Sequence, residues 1–65
     1  MNIKRIIGRA KMIIENCEIR QGLLDIDFRD GKISAAEYKA GFKANSEAKI
    51  RAKLTINYYE KNEQK

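Results

Sequence analysis

Few side chains in this sequence are equipped for covalent or metal chemistry. Cys17 is the only thiol, histidine is absent, and the carboxylates gather most closely in one short run, Asp25, Asp27 and Asp30, followed past a glycine by Glu37. A cysteine with no histidine lacks the usual base that activates a nucleophile, and a zinc site of the Cys/His type is ruled out. The carboxylate run approaches a calcium loop of the EF-hand kind. Gly31, Ile33 and Glu37 fall at its sixth, eighth and twelfth positions and Asp30 at its fifth. The first and third positions then fall on Ile26 and Phe28, which have no oxygen to offer, and Asp25 and Asp27 each stand one residue early. A hard cation needs six or more oxygens in a set geometry, so the preferred reading is a capped turn flanked by solvated aspartates.

Ser34-Ala35-Ala36-Glu37 supports that preference. It fits a capping box, in which the Ser34 hydroxyl accepts from the Glu37 amide and the Glu37 carboxylate accepts from the Ser34 amide. Ile33 before the box and Tyr38 after it are spaced as a hydrophobic staple. Ser34 is thereby committed to structure. The four glycines are dispersed and form no phosphate-binding loop. The sequence therefore predicts no enzyme, no metal and no cofactor.

Binding chemistry is better represented. The net charge is +5, with Lys and Arg contributing 14 residues against 9 Asp and Glu. A basic balance of this size favours acidic partners. A hairpin folded about Gly31 and Lys32 brings Lys4, Arg5, Arg9 and Lys11 to the same end as Lys49, Arg51 and Lys53. Cations in the first turns of a helix oppose its dipole, which favours a functional reason for Lys4, Arg5 and Arg9. These seven residues are the expected contacts to nucleic acid, DNA or RNA. They would act mainly through phosphates, with strong salt dependence and little sequence selectivity. Tyr58 and Tyr59 lie near the same end and could stack on bases. No helix-turn-helix, ribbon-helix-helix or RNA-recognition signature accompanies them.

The elements that must position these residues are two helices. From Asn2, a candidate cap, Ile3, Ile6, Ile7, Ala10, Ile13, Ile14, Cys17, Leu24 and Phe28 recur at helical steps, interrupted by Gln21. Gly22 is a candidate kink or early end. After the turn, Tyr38, Gly41, Phe42, Asn45, Ala48, Ala52, Ile56 and Tyr59 form the matching stripe. Its small residues suit close helix approach. Asn45 within it either fixes register, as a lone polar residue does in coiled coils, or points to water at the stripe's margin. Leu54 to Tyr59 is rich in β-formers and has a strand alternative, but no breaker separates it from the helix. The expected boundaries are a helix over about 3–29, a turn over about 30–33, a helix over about 35–60 and a frayed tail over 61–65, in one domain.

Each helix carries a second apolar line on nearly its opposite side: Met12, Ile19, Leu23 and Ile26 on the first, Ile50, Leu54 and Tyr58 on the second. A chain of 65 residues buries only ~60% of its unfolded surface, and small domains usually add a disulfide, a metal or self-association. One cysteine and no histidine leave self-association. The sequence thus predicts an all-α antiparallel two-helix hairpin, dimerising into a four-helix bundle through these two lines. The alternative is a protein-binding adaptor or inhibitor, of the kind phages and mobile elements encode. Its second apolar face would dock on an acidic or apolar-grooved target, with charge steering the encounter. A single thiol in an apolar position suggests the cytoplasm. No signal peptide or membrane span is expected.

Overall fold

The computed structural model describes residues 2–63. Two helices, α1 (Ile3–Arg29) and α2 (Ala35–Glu63), fold back on each other as an antiparallel hairpin, and no strand occurs among the described residues. The result is a rod of 50 × 15 × 14 Å. No described helix is long and apolar enough to cross a membrane.

Helix α1 starts where Asn2, in extended backbone conformation, accepts the Arg5 amide on its side-chain oxygen at 3.2 Å. It runs unbroken through Gly22, so the early end anticipated there does not occur. Packing of the flanking turns outweighs the roughly 1 kcal/mol helix penalty of one glycine. The helix ends in a full Schellman arrangement. The Lys32 amide donates to the Asp27 carbonyl at 2.8 Å and the Gly31 amide to the Phe28 carbonyl at 3.1 Å. Gly31 makes this possible with φ +75°, in the left-handed region.

Helix α2 begins with the capping box in both directions. The Glu37 amide donates to Ser34 Oγ at 3.1 Å, and the Ser34 amide donates to Glu37 Oε1 at 3.1 Å. Glu37 also places negative charge in the first turn, where the helix dipole favours it. The β-rich stretch from Leu54 to Tyr59 is helical throughout. Thr55 settles there by donating its hydroxyl to the Arg51 carbonyl at 3.0 Å. The helix continues to Glu63, past the expected end near 60, so residues 61–63 are helical where fraying was expected; residues 64–65 of that tail lie outside the described residues.

The core is thin. Ile7, Ala10, Cys17 and Ala52 are its buried apolar residues, and no large side chain is fully enclosed. Small residues let the helices close up: a Cβ built on Gly41 would stand 2.8 Å from Leu24 Cδ2. Two contacting cylinders cover only a narrow strip of each other. Ile13, Phe28 and Phe42, expected within the contact stripes, therefore stay 43–49% exposed.

Along one edge of the contact runs a polar ladder. Asn45 donates to Gln21 Oε1 at 3.3 Å, Gln21 donates to Asp25 Oδ1 at 2.8 Å, and the Tyr38 hydroxyl donates to the same oxygen at 2.6 Å. Asn45 is half-buried and bonded across the helices, which favours the register reading over the solvent one. Beside the ladder, Phe28 stacks on Tyr38 with ring centroids 4.6 Å apart. The contact with Asp25 also pushes the Tyr38 hydroxyl above its ordinary pKa. The hydrogen bond to Asp25 is the main cause, followed by desolvation and the carboxylate's charge, with Gln21 acting in the other direction.

Candidate functional site

The near-match to a calcium loop does not take up loop geometry. Residues 26–29, which would open it, are the last turn of α1, and Asp25 Oδ1 is occupied by Tyr38 and Gln21. Among the described residues no group of three or more His, Cys, Asp or Glu is placed to hold a metal. Cys17 is a buried packing residue. Two features of the surface remain as candidates.

The first is the distribution of charge. Lys4, Arg5, Arg9 and Lys11 precede the first acid of the chain, Glu15, and Lys49, Arg51 and Lys53 stand together between Glu47 and Glu60. The hairpin sets these two groups in the same half of the rod, away from the turn. Four of the nine acids have partners within the fold. Asp25 serves Tyr38 and Gln21, Glu37 serves the cap, Asp30 lies 3.7 Å from Arg29, and Glu18 lies 3.7 Å from Lys49. Lys49 is accordingly the one member of the predicted set with an ion pair among the described residues. Lys4, Arg5, Arg9, Lys11, Arg51 and Lys53 are exposed and have none.

These cations do not form one flat patch. Lys4 and Lys11, seven residues apart, lie on one side of α1, whereas Arg5 and Arg9, four apart, lie on another. The two sides are a third of a turn or more apart at about 100° per residue. Arg9 and Arg51 come together as the charged members of an open groove of about 420 Å³, whose apolar lining includes Ile6, Ala10, Ile13 and Ala52. The site is best described as a collar of cations around the open half of the rod. Tyr58, edge-on to Tyr59 at 5.1 Å, is exposed at that end.

The second feature is apolar. Met12, Ile19, Leu23 and Ile26 on α1 and Ile50, Leu54 and Tyr58 on α2 are exposed, from 44% for Ile26 to 63% for Tyr58. Each line faces away from the opposing helix, so the two point to opposite sides of the hairpin. One contact with one partner cannot cover both lines.

Comparison of the chain with protein-family models, with curated proteins and with solved structures finds no match. A functional reading therefore rests on the surface just described.

Proposed function

We propose that this chain is a small, non-catalytic binding protein that engages nucleic-acid phosphates through the cations of its open half. The observation that carries the reading is the crowding of cations in the open half, where Lys4, Arg5, Arg9, Lys11, Arg51 and Lys53 are exposed with no ion pair among the described residues. Unpaired cations release condensed counterions from a phosphate backbone on binding, which supplies affinity without sequence readout. A collar suits that role better than a flat patch would suit base-edge recognition, because phosphates line both sides of a groove. Tyr58 adds an exposed ring next to the cations. A cytoplasmic setting is in keeping with one reduced, buried thiol.

The test is binding of labelled duplex DNA and structured RNA by fluorescence anisotropy. The wild-type chain is compared with one in which Lys4, Lys11, Arg51 and Lys53 are all replaced by Gln. The expected result is binding by the wild type and a loss of about tenfold or more in the variant, since each phosphate contact contributes roughly additively. Equal affinities would refute the assignment.

The exposed α2 line favours a second reading. Ile50, Leu54 and Tyr58, at four-residue steps and 57–63% exposed, form a helix face that would fit an apolar groove on a protein target. Leu54→Lys then abolishes function while nucleic-acid binding persists. Self-association is part of either reading, because so small a core calls for further burial.

A further inference from the structure

We infer that the outer face of α1 pairs with the same face of a second copy of this chain, antiparallel, with Arg5 and Arg9 of each copy set against Asp30 and Asp27 of the other. The inference does not rest on the nucleic-acid reading. Its first ground is the pattern of apolar residues. Ile19 stands midway between Met12 and Ile26, seven residues from each, and Leu23 fills the same line; all are 44–61% exposed. A two-fold axis at Ile19 lays Met12 of one copy over Ile26 of the other and covers the whole line at once. Symmetric pairs require such a self-complementary patch.

The second ground is charge. Arg9 and Asp27, separated by five full helical turns, share one border of the apolar line, whereas Arg5 and Asp30, nearly seven turns apart, continue the line itself at its two ends. In an antiparallel two-fold pair each border meets its own counterpart. The basic first turns of one copy then face the acidic last turn of the other. Asp27 has no side-chain partner among the described residues, and Asp30 has only the loose 3.7 Å contact with Arg29. Arg51 and Lys53, on α2, lie away from this contact and stay available to phosphate.

The assembly differs from a square four-helix bundle. Because the α1 line faces directly away from α2, the helices of the pair stand in a row with the two α1 helices at its centre. The Ile50, Leu54 and Tyr58 lines remain on the two outer surfaces.

Sedimentation equilibrium of the full chain and its variants tests this. Wild type is expected to be a dimer at micromolar concentration, Ile19→Glu a monomer at the same concentration, and Leu54→Lys a dimer. Arg5→Glu with Arg9→Glu, or Asp27→Arg with Asp30→Arg, is expected to weaken the pair about tenfold or more, because attraction becomes repulsion at two symmetric sites. All four changes in one chain are expected to restore it. These replacements put acids at the helix start and bases at its end, in line with the helix dipole, so circular dichroism is expected to show unchanged helix. A wild type that stays monomeric at millimolar concentration would overturn the inference. So would a fourfold variant no better than the two doubles, or a dimer dissolved by Leu54→Lys and not by Ile19→Glu.

Discussion

The Tyr38 hydroxyl donates to Asp25 Oδ1 at 2.6 Å, and this bond ties the first turn of α2 to the last turns of α1. It fixes the rotation of one helix against the other beside the turn, where Phe28 stacks on the same tyrosine ring. Both helices are therefore held in register from the turn outward, and that register decides which cations share the open half.

The bond has a pH signature. Its folded-state contribution needs the neutral phenol, whose pKa is raised above the usual 10.0. The stability it supplies is fully present below pH 10, the unfolded value, and is lost as pH climbs through the higher folded value. Ultraviolet titration is expected to show a tyrosinate component that ionises above pH 10 in the wild type and is absent from Tyr38→Phe. In Asp25→Asn the same component should move down, since its main cause is removed. Tyr38→Phe is expected to lower stability at neutral pH, with little further loss when Asp25→Asn is added.

The turn offers a second check. Ser34→Ala removes the acceptor of the Glu37 amide and should cost about 1 kcal/mol in thermal or urea unfolding. Gly31→Ala forces a side chain into φ +75° and should cost about 1–2 kcal/mol.

Glycines separate packing from propensity. A Cβ on Gly22 meets nothing within 4 Å, whereas one on Gly41 would stand 2.8 Å from Leu24 Cδ2. Gly22→Ala is expected to stabilise by up to about 1 kcal/mol. Gly41→Ala gains the same helix propensity but must displace Leu24, at about 1–3 kcal/mol for overpacking, and is expected to be neutral to destabilising. Urea midpoints of the two variants decide this directly.

Cys17 is only 4% exposed, so its reaction with a thiol reagent should be slow in the folded chain and should accelerate in step with unfolding. Cys17→Ser places a hydroxyl in the thin core and is expected to lower the midpoint more than Cys17→Ala does.

Much of the fold is legible in local signals. Ser34 and Glu37 announce the cap at fixed spacing, Gly31 announces the left-handed stop, and three- and four-residue steps announce both helices. The Asp25–Tyr38 bond is less legible, because periodicity gives each helix a face but not the relative rotation of the two. Asn45 is ambiguous in the sequence for the same reason, because only the packed helices set Gln21 opposite it. Ile13, Phe28 and Phe42 follow the core period yet remain open, since a single neighbouring helix cannot cover so broad a stripe. For the candidate site, sequence identified the cations and the outer apolar lines by type and spacing. It could not show that Asp25 is occupied across the hairpin, because that depends on how the helices meet.

The most direct measurement is the salt dependence of binding between the wild-type chain and labelled duplex DNA and structured RNA, from low to physiological ionic strength. Four to six phosphate contacts correspond to a slope of about −3.5 to −5.5 in log affinity against log salt for duplex DNA, and a slope in that range is expected. Absence of binding even at low salt, or an affinity that hardly changes with salt, would contradict the assignment of the open-half cations to phosphate recognition.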